Sequence, residues 1–215
     1  MVSDVKKNSA LPTLPEYWEQ AKIELMKKDR IMRKLIPQFG DLYLIGRDDP
    51  FTTLTRSILA QKITVEAANV LWLKFLKVCP NSTPEQVLEA GEEKLSAGGL
   101  SKRKLEFVLD LAQHFQSKKI HVELWPEMSD EDVIAELVQI RGITRWTAEM
   151  FLIFNLLRPN ILPLDDPGLL KGISLNYFSG EPVSRIDIRE VASNWEPWRT
   201  VATWYMWRSL DTPST

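Results

Sequence analysis

Two short segments of the chain combine residue types that suit the binding of an anion and the stabilisation of a positive charge. In the first segment, an apolar run at helical spacing stops at Gly142, a residue that tolerates a left-handed backbone, and a new helix is predicted from about Arg145. The backbone N–H groups of such a turn and of the first helical turn after it lack intrahelical acceptors, and Arg141 and Arg145 add positive charge beside them. The first segment is therefore predicted to hold an anion such as a nucleic-acid phosphate.

The second segment is a carboxylate at the start of a predicted helix. Asp165 and Asp166 precede Pro167, and because proline is favoured at the first helical position, Asp166 has the register of an N-cap. A helix N-terminus favours an ionised carboxylate, so Asp166 is expected to be charged at neutral pH. Asp165 is the rival carboxylate, and a helix cap without any chemistry would place Asp166 in the same way.

Helical periodicity runs through almost the whole chain, and no segment alternates convincingly like a strand. Capping residues precede several of the predicted helices: Thr83, Ser101, Ser129 with Asp132, and Ser184 with Asp187. The predicted helices lie near 16–29, 49–60, 64–78, 84–90, 102–117, 130–139, 145–157, 167–175, 185–194 and 197–209. The expected fold class is all-α, and residues 1–15 are expected to form a mobile N-terminal tail.

Composition narrows the classes of function. With 215 residues and 44% hydrophobic content, the chain can bury a real core. No apolar run is long enough to span a membrane and the start lacks a signal-peptide pattern, so a cytoplasmic location is expected, nucleoid-associated in a bacterium or nuclear in a eukaryote. The single cysteine, Cys79, and two histidines, His114 and His121, do not suffice for a disulfide framework, a zinc cluster or a histidine-based metal site.

The distribution of charge qualifies the overall acidity of the chain. A net charge of −2 argues against a protein that coats DNA non-specifically. Three windows, 54–64, 99–104 and 137–147, nevertheless contain basic residues and no Asp or Glu. These basic residues are Arg56, Lys62, Lys102, Arg103, Lys104, Arg141 and Arg145. They are either a surface for nucleic acid or ordinary solvated charges.

Five segments, taken in order, resemble one protein family. They are LTRSILAQKITVEAA (54–68), GGLSKRKLEFVLDLA (98–112), the Gly142 hairpin, the Pro163–Asp166 element and WEPWRTVATWYMW (195–207). In this order they resemble the helix-hairpin-helix DNA glycosylase superfamily, and within it the DNA-3-methyladenine glycosylase type that removes alkylated purines. The resemblance implies an all-helical fold of two lobes around a central cleft that binds DNA and the base. One lobe would comprise roughly 16–50 and 176–215, and the other, with the hairpin, roughly 51–175.

The resemblance also implies a set of site residues. Asp166 would be catalytic, Trp146, Met150 and Trp207 would line the pocket for the extruded base, and Gln61 and Lys62 would fill the space that the base leaves in the duplex. DNA phosphates would be bound by Gly142, Thr144, Arg145, Thr147, Lys102 and Arg103. The backbone carbonyls of Val138, Ile140 and Gly142 would hold a monovalent cation. For Gln61 and Lys62 the alternative is a solvated polar turn between two helices.

Four positions depart from the family pattern. Thr144 stands where the family has its second hairpin glycine, Arg141 where it has a proline, and Met150 where it has a tyrosine. Trp146 stands where the branch with lyase activity has a lysine, and because an indole has no amine, no Schiff base can form there. An iron–sulfur cluster, which needs four cysteine ligands, is excluded by the single cysteine.

The expected function is that of a monofunctional DNA glycosylase of base-excision repair, requiring no cofactor. It would extrude an alkylated purine of the 3-methyladenine type from double-stranded DNA and hydrolyse its N-glycosidic bond, acting as a monomer. Asp166 would stabilise the oxocarbenium-like sugar and activate water. The alternatives are a glycosylase for deaminated or oxidised bases and a non-catalytic module that binds distorted DNA.

Overall fold

The structure is a computed structural model that describes residues 14–47 and 49–211. Over these residues the chain forms eleven α-helices, one 3₁₀-helix and no strand, which confirms the all-α prediction. The α-helices are α1 (Trp18–Lys28), α2 (Arg30–Leu35), α3 (Pro50–Ala60), α4 (Val65–Val78), α5 (Pro84–Ala97), α6 (Lys102–Gln116), α7 (Asp130–Leu137), α8 (Arg145–Phe154), α9 (Pro167–Tyr177), α10 (Arg185–Ser193) and α11 (Arg199–Arg208). None of them is long and apolar enough to cross a membrane. The tail predicted at 1–15 lies, up to residue 13, outside the described residues.

The predicted capping residues begin the helices that they precede in the sequence. Each cap accepts a hydrogen bond from a backbone N–H group in the first helical turn: Thr83 in α5, Ser101 in α6, Ser129 in α7 and Ser184 in α10. Ser184 and Asp187 form a complete capping box, in which each side chain bonds the backbone of the other residue. These helix starts were predictable because all the participating groups lie within one turn of each other.

At Asp29 and at Gly91 the structure breaks or continues a helix where the sequence predicted otherwise. The helix predicted at 16–29 stops before Asp29, whose backbone is extended and whose side chain accepts from the N–H groups of Ile31 and Met32, so that it begins the unpredicted α2. The second Asp29 oxygen accepts from the Tyr177 hydroxyl at 2.8 Å, a contact between distant parts of the chain. The helix predicted at 84–90 resumes after a break at Gly91, where φ is +63°, and continues to Ala97.

The helices pack as two sets. In one set α3 lies against α4, α6 and α8, with α5 on α6 and α7 on α8, while in the other α1, α2 and α9 pack against α11. Trp18, Trp125, Trp195 and Tyr205 are fully buried in the core. The two predicted lobes stay a prediction, and α9, which falls in the lobe predicted at 51–175, packs on α11, which falls in the other.

An exposed histidine ties the connection between α6 and α7 to α7. The backbone N–H of His121 donates to the Glu136 carboxylate, and its ring Nδ1 lies 2.5 Å from the same carboxylate. The buried Trp125 indole also donates to it, at 2.8 Å. The hydrogen bond with Glu136 and then its negative charge raise the pKa of His121 above the ordinary value of 6.5.

This raised pKa predicts a pH-dependent contribution of His121 to stability. The contribution is fully present below pH 6.5, the ordinary pKa of histidine, and is lost as pH rises through the raised pKa of the folded protein. Urea unfolding of wild type and His121→Gln at pH 5.5 and pH 8.5 is expected to show a larger difference in unfolding free energy at the lower pH. Equal differences at the two pH values would contradict the assignment.

Candidate active site

Asp166 occupies the N-terminus of α9 as an almost fully buried carboxylate. Its side chain is 6% exposed and accepts the Leu169 backbone N–H at 2.7 Å, which confirms its predicted position as the N-cap. Two indoles also donate to it: Trp207 Nε1 lies 2.7 Å from Oδ1 and Trp146 Nε1 lies 3.0 Å from Oδ2. An ionised carboxylate has about four acceptor positions, so with three used, one remains for water or for a developing positive charge.

Two glycines of α9 let α11 come close enough for this arrangement. A Cβ at Gly168 would lie 2.9 Å from Trp207 and 3.0 Å from Asp166, and a Cβ at Gly172 would lie 2.8 Å from the Met206 carbonyl oxygen. The two glycines are one helical turn apart on one face of α9. This spacing is the sequence signal, not used in the prediction, for the close packing that brings Trp207 to Asp166.

Three large apolar side chains are evenly spaced along α8. Trp146, Met150 and Phe154 are spaced by four residues and therefore share one face of the helix. Trp207 stacks on Phe154 with 5.7 Å between ring centroids and an angle of 10° between planes, while Trp146 is 41% exposed. The structure thus brings Trp146 and Trp207 together around Asp166 and places Met150 one turn along α8. Phe154 was missed in the sequence, although its spacing from Trp146 points to it.

Asp165 lies in a different environment from Asp166. Its carboxylate pairs with Arg185, and both side chains are more than half exposed. No indole among the described residues donates to Asp165. Of the two neighbouring carboxylates, therefore, only Asp166 faces the aromatic groups.

The predicted hairpin forms between α7 and α8. Gly142 has φ +87°, and a Cβ there would lie 2.2 Å from the Phe107 ring, so both the backbone and the packing require glycine. Among the described residues, no acceptor pairs with the N–H groups of Gly142, Thr144 or Arg145. The turn therefore presents free donors at a helix N-terminus, the arrangement that suits a phosphate.

The side chains of the hairpin make more contacts within the protein than the prediction assumed. Thr144 caps α8 by accepting from the backbone of Thr147, whose side chain is buried. Arg145 donates to the carboxylates of Glu131 and Glu149, and the hydrogen bonds that it donates to Glu131 raise its pKa. Because two carboxylates already compensate its charge, Arg145 is a weaker phosphate ligand than the sequence suggested. The phosphate roles of all three side chains stay predictions.

Arg141 is also engaged. Its guanidinium pairs with Glu106 at 3.1 Å, and its backbone N–H donates to Asp110 at 2.8 Å. These two contacts attach the hairpin to α6. The two arginines that the sequence assigned to the hairpin's positive charge thus both have acidic partners.

The carbonyl oxygens assigned to a cation are partly used in the fold. The Gly142 oxygen accepts from the Gln61 amide and the Ile140 oxygen accepts from the Ile143 N–H. A carbonyl oxygen has two lone pairs, so each of these two hydrogen bonds leaves one lone pair of its oxygen for a cation. Among the described residues there is no cluster of three or more His, Cys, Asp and Glu side chains that could hold a metal ion. The hairpin cation stays a prediction.

The two residues predicted to fill the duplex, Gln61 and Lys62, lie in the segment 61–64 that joins α3 to α4, and their environments differ. Gln61 is partly buried and donates to the Gly142 carbonyl oxygen at 2.8 Å, so it is tied to the hairpin. Lys62 is exposed and has a positive φ of 57°. Lys104 donates to the Leu59 carbonyl and holds the end of α3 from the other side. The geometry favours Lys62 over Gln61 for insertion into a duplex, a role that stays a prediction for both. Lys102 and Arg103 lie exposed at the start of α6.

The comparisons with known proteins show which family the chain belongs to. Residues 55–197 match the family described as HhH-GPD superfamily base excision DNA repair protein, and the chain belongs to that superfamily. A DNA-3-methyladenine glycosylase of Schizosaccharomyces pombe is 29% identical over 197 residues, which cover 88% of this chain and 86% of the relative. The residues that match the family model, 55–197, include the hairpin and Asp166, whereas Trp207 lies beyond them.

Two solved structures have the same fold. The crystal structure of a DNA-3-methyladenine glycosidase from Bacillus halodurans superposes with a TM-score of 0.83 at 29% identity, over 89% of each chain. A 3-methyladenine DNA glycosylase of Schizosaccharomyces pombe in complex with abasic DNA superposes with a TM-score of 0.79 at 28% identity, over 90% of this chain and 97% of the other. These similarities confirm the superfamily and the fold expected from the sequence.

Proposed function

We propose that this base-excision repair protein is a monofunctional DNA glycosylase that hydrolyses the N-glycosidic bond of alkylated purines of the 3-methyladenine type. The observation that carries the proposal is the buried Asp166 carboxylate, held between the indoles of Trp146 and Trp207. Relatives named as 3-methyladenine glycosylases, one of them bound to abasic DNA, support the substrate class and DNA as the partner. The protein is proposed to act as a monomer and without a required cofactor.

The two indoles have a second use besides orienting Asp166. A purine methylated at N3 is cationic, and a cation over an indole face gains roughly 0.5 to 2 kcal/mol, depending on desolvation. Trp146 is partly exposed and can therefore receive such a base, whereas one face of Trp207 stacks on Phe154. Extruding the base from the duplex costs a few kcal/mol, which stacking on these rings offsets.

The Asp166 carboxylate is suited to the bond-breaking step. Departure of the base leaves the sugar with oxocarbenium character, and a nearby negative charge stabilises that state. The remaining acceptor position of Asp166 orients and deprotonates the attacking water. An alkylated base already carries a positive charge and leaves without an acid catalyst. Because Trp146 has no amine, no Schiff base forms at its position and the DNA strand stays intact.

Base release from methylated duplex DNA tests the proposed function. The protein is expected to free 3-methyladenine, detected by chromatography, and to leave abasic sites that break only after alkaline treatment. Strand breaks without alkali would contradict the monofunctional assignment. A shift of lesion DNA in a gel without any released base would favour a non-catalytic module for distorted DNA.

A further inference from the structure

Three exposed arginines have an aromatic ring beneath the guanidinium group and no acidic partner among the described residues. The distances from guanidinium carbon to ring centroid are 5.2 Å for Arg47 on Phe154, 5.2 Å for Arg56 on Trp72 and 5.3 Å for Arg103 on Phe107. Other arginines do have carboxylate partners: Arg141, Arg145, Arg158, Arg185, Arg199 and Arg208. The charges of the first three are therefore not compensated within the described part of the chain.

An aromatic ring below a guanidinium group prepares it for an anion. The ring contacts the flat face of the group, while its five N–H donors lie in the plane and point outward from the edge. A carboxylate partner would occupy this edge, but a ring does not. The planar fork matches two oxygens of a phosphate group, which makes bidentate binding favourable.

Each of the three rings is connected to a part of the molecule that the proposed function uses: Asp166, the hairpin or the segment between α3 and α4. Phe154, under Arg47, stacks on Trp207, which donates to Asp166. Phe107, under Arg103, is the side chain against which Gly142 of the hairpin packs.

The third arginine lies on α3, the helix that leads into residues 61–64, which are called the tip below. Trp72, under Arg56, lies on α4, and Arg56 itself is on α3, which ends just before Gln61. Gln61 in turn bonds the Gly142 carbonyl, so the tip and the hairpin are directly connected. Through their ring partners or their helices, the three arginines are thus connected to the hairpin, to the tip and to the Trp207 indole that contacts Asp166.

Arg47 and Arg56 also influence each other. Arg47 as a whole residue is exposed, but partial desolvation lowers its pKa, and the positive charge of Arg56 lowers it further. Two like charges within electrostatic range destabilise each other until an anion binds between or beside them. This repulsion is consistent with a site that is completed by a negatively charged ligand.

We propose that Arg47 and Arg56, continued by Arg103, bind phosphodiester groups of the lesion DNA. The inference rests on the proposed function in that the ligand is DNA. It adds Arg47, whose ring partner Phe154 stacks on Trp207, and Arg56 to the phosphate-binding surface predicted for the hairpin and the start of α6.

The test is the salt dependence of DNA binding by an Arg47→Gln/Arg56→Gln double variant. The dissociation constant is measured by fluorescence anisotropy at several salt concentrations, with a labelled duplex that contains a tetrahydrofuran abasic-site analogue. Each lost phosphate contact lowers the slope of log affinity against log salt by about 0.9, so the double variant is expected to lose about 1.8. The matched control is Arg30→Gln/Arg189→Gln, which removes two exposed arginines from α2 and α10 and is expected to keep the wild-type slope.

A second variant distinguishes the loss of phosphate contacts from a folding defect. Arg47→Lys/Arg56→Lys keeps both charges and removes the fork, so it is expected to retain most of the slope while binding more weakly than wild type. An unchanged slope in the glutamine variant, or an equal loss in the control, would overturn the inference while leaving the proposed function standing. A wild-type protein that binds no DNA would overturn both.

Discussion

Asp166→Asn is expected to slow release of the alkylated base by roughly 10²- to 10³-fold while leaving the binding of lesion DNA within a few-fold of wild type. The asparagine oxygen can still accept the Leu169 N–H and the Trp207 indole, so the cap of α9 survives. The amide nitrogen, however, replaces the oxygen that accepts from Trp146, and the negative charge is gone. Loss of one preorganised electrostatic group costs on the order of 10²- to 10³-fold in rate. Single-turnover base release and anisotropy binding measure the two quantities separately.

Asp165→Asn is the matched control for this prediction. It makes the same chemical change at the neighbouring residue, whose carboxylate lies at the surface and pairs with Arg185. Because exposed ion pairs contribute little, base release and thermal stability are expected to stay close to wild type. Retained excision in Asp166→Asn, or an equal loss in Asp165→Asn, would refute the assignment of Asp166.

The features of this fold that could be predicted from sequence are those in which all participants are close together in the chain. The Asp166 cap with Pro167 and the turn at Gly142 are examples, because a side chain and the backbone within one helical turn determine them. The break at Asp29 has the same local signal, an Asp before a new helix, but the helical periodicity on both sides hid it. Helix starts were therefore predicted better than the interruptions between helices.

The contacts that complete the candidate site link distant parts of the chain and could not be predicted locally. Trp207 reaches Asp166 over a separation of 41 residues, and Gln61 reaches the Gly142 carbonyl over 81. Such contacts depend on how whole helices pack, which periodicity does not specify. For Trp207 the position came from the family resemblance. For Arg145 the sequence showed the charge but not Glu131, 14 residues away, which compensates it.

Gly142→Ala is expected to destabilise the protein more than any other glycine substitution in a turn of the described chain. A non-glycine residue in the left-handed region costs roughly 1–3 kcal/mol, and at Gly142, with φ +87°, that cost applies. In addition the new Cβ would overlap the Phe107 ring at 2.2 Å, and overpacking of this kind adds roughly 1–3 kcal/mol. The free energy of unfolding, measured with urea, is expected to fall by the sum of these two effects.

Two comparisons separate the backbone cost from the packing cost. Gly40→Ala has a positive φ of 54° and nothing within 4 Å of the added Cβ, so it is expected to show the backbone cost alone. In a Phe107→Ala background the overlap disappears, and the additional cost of Gly142→Ala is expected to approach that of Gly40→Ala. DNA affinity is expected to fall as well, because Gly142 joins the free N–H groups of the hairpin to Gln61 at the tip. If Gly142→Ala were no more destabilising than Gly40→Ala, the hairpin would not be packed on Phe107 of α6 as described.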